Sequence, residues 1–177
     1  ELDPQHFSQE EQKSFEESDR VEWQQWINNK VVRVVPDHEA RTIPRENIFK
    51  IPMRMVRTNR AKVVGEIIAK SRMLIPGHMD PHLGEFRTDA PTTQPLAVRL
   101  MFGTAASLRW RGRVFDVRTA FLSGKECNRQ LFARTPNGGL PATAGMPRVR
   151  AGQLSQVLKS AYGLAEAPRL WYLRATE

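Results

Sequence analysis

Residues 114–124 read Val114-Phe115-Asp116-Val117-Arg118-Thr119-Ala120-Phe121-Leu122-Ser123-Gly124. Val114, Phe115 and Val117 favour extended backbone, so the stretch predicts a strand that runs out toward Thr119, Ala120 and Phe121. Asp116 is the one carboxylate in it. An ionised carboxylate in an apolar strand costs on the order of several kcal/mol, or titrates to neutral, unless a cation or hydrogen-bond donors meet it. Two readings stay open on these residues alone. Asp116 holds a metal ion at the strand end, or it marks a turn and caps the next helix.

Around this stretch lies a chain of 177 residues, 40% of them hydrophobic, which suffices for a globular core. It has no long apolar run and no signal-like apolar region near Glu1, so neither a membrane span nor secretion is expected. Cys127 is the single cysteine. It excludes an internal disulfide and a multi-cysteine zinc cluster, favours a reducing compartment, and reads as a bystander. The formal net charge is +8 and unevenly placed. Residues 1–30 carry eight acids against three bases, and the remainder carries 24 bases against 11 acids. A basic body of that size fits a polyanion, most simply a nucleic-acid backbone.

Ser8 before Glu11 and Asp19 before Glu22 both have capping-box spacing, which predicts helix starts at each. A helix over 19–29 would align Trp23 with Trp26 and Ile27 on one apolar edge for docking, while the acidic residues 1–18 read as disordered or linker-like. Residues 31–35 form a short strand ended by Pro36 and Asp37. Residues 51–57 and 63–75 predict a hairpin studded with Arg54, Arg57, Arg60, Lys62, Lys70 and Arg72, a candidate phosphate-gripping flap. The turn-rich stretch 77–91 presents His78, Asp80 and His82 at alternate positions, a possible metal set. Residues 92–109 predict a helix whose Pro95 suits the first turn and whose Val98, Met101, Phe102, Ala105 and Leu108 form a core-facing stripe. Strands over 130–134 and 154–161, a long loop over 135–152, a turn at Tyr162-Gly163-Leu164 and a helix over 165–175 with Pro168 in its first turn complete the pattern. The chain begins without Met and stops mid-pattern, which is the expectation for a fragment.

Three separated blocks resemble the reverse transcriptases of copia-type long-terminal-repeat retrotransposons. Ala69-Lys70-Ser71-Arg72-Met73-Leu74, with Gly77 and then Thr88, Ala90 and Pro91, is similar to that family's Lys-Ala-Arg-Leu-Val segment and its following Thr-Phe-Ala-Pro. Asp116 to Gly124 resembles Asp-Val-Lys-Thr-Ala-Phe-Leu-Asn-Gly. Leu158-Lys159-Ser160-Ala161-Tyr162-Gly163-Leu164, followed by Ala167-Pro168-Arg169 and Trp171-Tyr172, resembles Leu-Lys-Lys-Ser-Leu-Tyr-Gly-Leu-Lys-Gln-Ala-Pro-Arg-Ala-Trp-Tyr. Order and approximate spacing agree from about Glu22 to Tyr172.

The resemblance implies an α+β fold: the fingers and amino-terminal palm of a right-hand polymerase, a mostly antiparallel sheet packed on helices and incomplete at its C-terminus. Residues 1–30 would be an acidic, partly helical N-terminal segment and residues 31–177 the partial polymerase domain. By the same resemblance Asp116 would be a catalytic carboxylate and ligand of two Mg²⁺ ions, and the carbonyl of Val117 would face one of them. Phe121, beside Ala120, would lie under the nucleotide sugar and exclude a 2′ hydroxyl. Tyr162 and Gly163 would line the nucleotide pocket, and Lys70 and Arg72 would reach the triphosphate or template backbone. The implied partners are an RNA or DNA template with its primer, deoxynucleoside triphosphates, and the remaining polymerase, ribonuclease H and integrase parts of a polyprotein, with no membrane.

The chain also departs from the family. Glu166 stands where Gln is usual, Asp89 where an aromatic is common, and 135–152 matches the variable loop only loosely. The family requires an adjacent pair of aspartates, whereas the aspartates here are Asp3, Asp19, Asp37, Asp80, Asp89 and Asp116. No two are adjacent. The isolated chain is therefore expected not to polymerise DNA and to expose an unsatisfied sheet edge. Two competing functions are a non-catalytic nucleic-acid-binding remnant of a decayed element and a metal-binding regulatory domain built on His78, Asp80 and His82.

Overall fold

A computed structural model describes residues 2, 7–63 and 66–177. Helix α1 (Gln9–Asn28) begins at the Ser8–Glu11 capping box, in which Ser8 Oγ accepts from the Glu11 amide and Glu11 accepts from the Ser8 amide. It ends in a Schellman turn: Lys30 takes φ +53°, its amide bonds the Ile27 carbonyl, and the Val31 amide bonds the Trp26 carbonyl. The second expected helix start does not occur. Asp19 and Glu22 lie inside α1, buried on the face that also carries Phe15, Trp23 and Trp26. The expectation of disorder over 1–18 fails for 9–18, since the cap and this apolar face fix them; residues 1 and 3–6 lie outside the described residues.

Chain order continues with β1 (Val32–Val34), α2 (Asp37–Ala40), β2 (Arg54–Asn59), β3 (Ala69–Leu74), α3 (Pro95–Ser107), β4 (Phe132–Arg134), β5 (Leu154–Val157) and α4 (Ala167–Ala175). Two antiparallel sheets form, β1-β5-β4 and the hairpin β2-β3. Val32 pairs with Val157 and Phe132 with Gln156 in the first, and Val56 pairs with Arg72 in the second. The hairpin expected over 51–57 and 63–75 is present in shorter form; Val64 and Gly65 lie outside the described residues. The Met53 amide bonds the Arg134 carbonyl at 2.8 Å and joins the hairpin's base to β4. One core runs across both sheets, with Trp23 and Trp26 of α1 against Met53, Met73, Ile75, Leu122 and Leu131. Residues 135–152 are more than a surface loop: Leu140 and Val149 pair backbone to backbone and are buried in that core.

Three sequence expectations are corrected. Residues 111–117 form no strand, and Val114 and Phe115 are almost fully exposed. Strand propensity needs a neighbouring strand to complete its ladder, and none among the described residues pairs with this stretch. Helix α3 starts with Pro95 in its first turn and closes in a second Schellman turn at Arg109, yet none of its residues is buried. Its period gives an apolar stripe, but a stripe becomes core only when another element covers it. His78, Asp80 and His82 do not converge, and among the described residues no three His, Cys, Asp or Glu side chains are grouped to hold a metal ion. Asp80 instead accepts from Arg129, and His82 contacts Glu85 and Asn47. At Cys127, burial, with Glu166 nearby, pushes the thiol up to about 12.

Candidate nucleotide-pocket site

The site is built on the outer edge of β3. Three alternate amides along this edge find partners outside the hairpin: Ser71 donates to Ser18 Oγ at 2.8 Å, Met73 to Glu22 Oε1 at 3.2 Å, and Ile75, just past the strand, to the Tyr162 carbonyl at 2.9 Å. Ser18 and Glu22 are four residues apart on α1, a rise of about 6 Å, which matches roughly two residues of strand. The helix thus seals an edge that would otherwise stay open. Glu22 Oε1 also accepts from Trp26 Nε1 at 3.1 Å, and burial raises the Glu22 carboxyl above its ordinary value of 4.5.

Sealing that edge delivers Tyr162 to the strand end. Gly163 follows it at φ +91°, a region that penalises a side chain, and a Cβ there would lie 2.1 Å from the Ile75 carbonyl oxygen. The Gly77 amide bonds the Gly163 carbonyl at 3.1 Å, and Gly77 has no room for a Cβ either. The close backbone approach at Gly163 is to Ile75 and Gly77, the strand end that the turn must touch.

Tyr162 is the meeting point. Its ring stands at 84° to Phe121, centroids 5.8 Å apart, and Arg72 Cζ lies 5.9 Å over it. Its phenol is raised above the ordinary tyrosine value chiefly by burial, then by the negative charge of Glu22; Arg72 opposes this and Asp116 adds to it. Phe121 and Arg72 thus meet at Tyr162, although three separate stretches of sequence supply the three residues. Ala120 and Phe121 sit in a short 3₁₀ turn, Ala120–Ser123, whose preceding residue Thr119 takes φ +53°. Leu122 anchors that turn in the core, and Gly124 fits against Ser160 and Leu170 only because it lacks a Cβ.

Lys70 and Arg72 occupy alternate positions on the face of β3 turned from α1, opposite Thr58 and Val56. Lys70 is close enough to favour the charged form of Glu22. Asp116 and Val117 lie in exposed, irregular backbone, and among the described residues no cation or donor is bonded to the Asp116 carboxylate. Water resolves the charge problem that an apolar strand would have posed, and Asp116 caps no helix. Glu22 was missed as a site residue because its spacing from Asp19 imitates a helix start. The departures Glu166 and Asp89 each have a partner: Glu166 accepts from Arg129 at 2.8 Å and Asp89 from Arg169 at 3.1 Å.

No protein-family model matches the chain, and no solved structure matches it. Three curated proteins are similar in sequence. The Retrovirus-related Pol polyprotein from transposon RE2 of Arabidopsis thaliana is 23% identical over 155 residues, 85% of this chain and 10% of the relative. That from transposon RE1 of the same plant is 28% identical over 105 residues, 59% of the chain and 7% of the relative. That from transposon TNT 1-94 of Nicotiana tabacum is 29% identical over 106 residues, 59% of the chain and 8% of the relative. The chain spans a tenth or less of the length of these relatives. Its similarity is to a segment of retrovirus-related transposon Pol polyproteins.

Proposed function

We propose that the chain is the fingers and amino-terminal palm of an RNA-directed DNA polymerase within a retrotransposon Pol polyprotein, the part that receives the incoming deoxynucleotide. The observation that carries this reading is the convergence of Arg72 and Phe121 on Tyr162, from three blocks far apart in sequence. In it the Phe121 and Tyr162 rings, set edge to face, give the nucleotide an apolar corner, and Arg72 and Lys70 offer cations to the triphosphate. The basic body would follow the template and primer backbone, and the other polymerase, ribonuclease H and integrase portions of the polyprotein would be its neighbours.

A two-metal site for Mg²⁺ is not complete among the described residues. Asp116 offers one carboxylate, and two Mg²⁺ ions require several oxygen ligands held together. Synthesis would need carboxylates from outside them. The 177-residue chain should therefore give no primer extension with Mg²⁺ and deoxynucleotides, while Asp116→Asn in the complete polymerase should abolish synthesis and leave template binding nearly intact. Synthesis retained by that variant would defeat the assignment of Asp116.

The lone carboxylate also favours a second reading, a non-catalytic nucleic-acid-binding remnant of a decayed element. The coding sequence downstream of Glu177 separates the two: an aspartate pair within a β-hairpin supports the enzyme, and an early stop supports the remnant.

A further inference from the structure

On the far side of the Tyr162 turn lies a buried ionic cluster that the pocket residues do not touch. Arg129 donates to Asp80 through Nη1 at 2.7 Å and Nη2 at 2.5 Å, and to Glu166 through Nε at 3.0 Å and Nη2 at 2.8 Å. The Asp80 side chain is fully buried, and those of Glu166 and Arg129 are only 10% and 17% exposed. The Phe86 ring lies under the guanidinium, 4.0 Å from Cζ. A planar fork with five donors can hold two carboxylates and stack on a ring at once, which an ammonium group cannot do.

The cluster joins segments that the pocket depends on. Asp80 follows the strand end that bonds the Tyr162 turn through Gly77 and Gly163. Glu166 closes the same turn on its other side, just before α4. The 77–80 and 163–166 segments are thus tied at one end by backbone, Gly77 to Gly163, and at the other by Arg129.

We propose that Arg129, by bridging Asp80 and Glu166, is the positioning residue that fixes the turn presenting Tyr162 to Phe121 and Arg72. Its consequence for nucleotide binding rests on the pocket reading above; the positioning itself does not. Removing the bridge leaves the turn tied to the strand end by backbone alone, at Ile75–Tyr162 and Gly77–Gly163, so the turn can pivot about those bonds and the Tyr162 ring loses its set angle to Phe121 while the core around Trp23 and Trp26 stays packed.

The test uses the full chain carrying Tyr172→Phe and labelled with 3-fluorotyrosine, so that Tyr162, one of only two tyrosines, gives a single ¹⁹F resonance. Glu166→Met, which removes the Oε1 that accepts both Arg129 bonds, and Arg129→Met should move or broaden that resonance toward its position in urea, with tryptophan emission unchanged, and Arg129→Lys should not restore it. Arg33→Met, which breaks an exposed pair with Glu39 elsewhere, should leave it in place. Should Arg129→Met fail to fold, Glu166→Met decides, because it keeps the Asp80–Arg129 pair. An unmoved resonance in Glu166→Met, or an equal shift in Arg33→Met, overturns the proposal. Adding Mg²⁺ and deoxyadenosine triphosphate to the parent chain tests the pocket separately: no response of Tyr162 counts against the nucleotide reading and leaves the positioning result standing.

Discussion

The rings of Phe121 and Tyr162 meet edge to face, 84° apart with centroids 5.8 Å apart. Each ring is set by its own backbone device. Phe121 is held by a 3₁₀ turn whose next residue, Leu122, is fully buried, and Tyr162 by a carbonyl that completes the edge of β3. Two rigid supports bring together residues that propensity alone would leave unrelated, and consequences for stability and association follow from the same contacts.

Gly163→Ala should destabilise the chain by about 3 kcal/mol, because a positive φ and a collision with the Ile75 carbonyl act together. Gly145→Ala is the comparison. It also has positive φ, but a Cβ there meets nothing, so the cost should be about 1 kcal/mol. Urea unfolding of both variants checks the difference, and equal losses would show that the close approach at Gly163 carries no weight.

Glu22 should impose a pH dependence. Burial raises its folded-state value above 4.5, so its contribution to stability is fully present below 4.5 and is lost as pH rises through the raised value. In Glu22→Gln that slope should disappear. Both donors, Trp26 Nε1 and the Met73 amide, bond the same oxygen, Oε1, which glutamine retains. Urea midpoints measured from pH 4.5 upward should fall for the parent relative to the variant, and parallel curves would contradict the burial argument.

Arg57→Met should cost about 3–5 kcal/mol, because it strands the largely buried Asp19 carboxylate that Arg57 grips through Nε and Nη2 at 3.1 Å and 2.5 Å. Adding Asp19→Asn should recover part of the loss. A thermal-melt series over the two single variants and the double variant measures the coupling, and strictly additive losses would mean that the pair does not act as a unit.

Leu96 and Leu100 lie one helical turn apart on α3 and are 64% and 63% exposed. Together with the exposed Met101 and Phe102 they should drive concentration-dependent self-association of the chain. Leu96→Glu with Leu100→Lys replaces that surface by a favourable i,i+4 pair. Sedimentation should then show less association, with folding stability changed by no more than about 0.5 kcal/mol; undiminished association would place the sticky surface elsewhere.

Much of the local structure was legible because local chemistry fixes it. Ser8 with Glu11 marked the start of α1, Pro95 the first turn of α3, Pro168 that of α4, and the alternating residues of β2 and β3 the hairpin. The family resemblance groups Arg72, Phe121 and Tyr162, and in the structure Tyr162 contacts both of the others. Asp19 and Glu22 misled for a definite reason: capping-box spacing is also i,i+3 spacing on one helix face, and only burial distinguishes the two.

The sequence by itself determined the Ser8–Glu11 cap, the first-turn prolines of α3 and α4, the turn glycine at 163 and the strand residues of β2 and β3, since these depend on neighbours within a few positions. Tertiary structure alone decided which surfaces are covered. Among the described residues it left 114–117 without a strand partner and α3 without a covering element, made Glu22 the seal of an open strand edge, and paired Asp80 with Arg129. Pairing and burial are relations between distant segments, and their energy appears only when the folded backbone brings those segments within hydrogen-bonding and van der Waals reach.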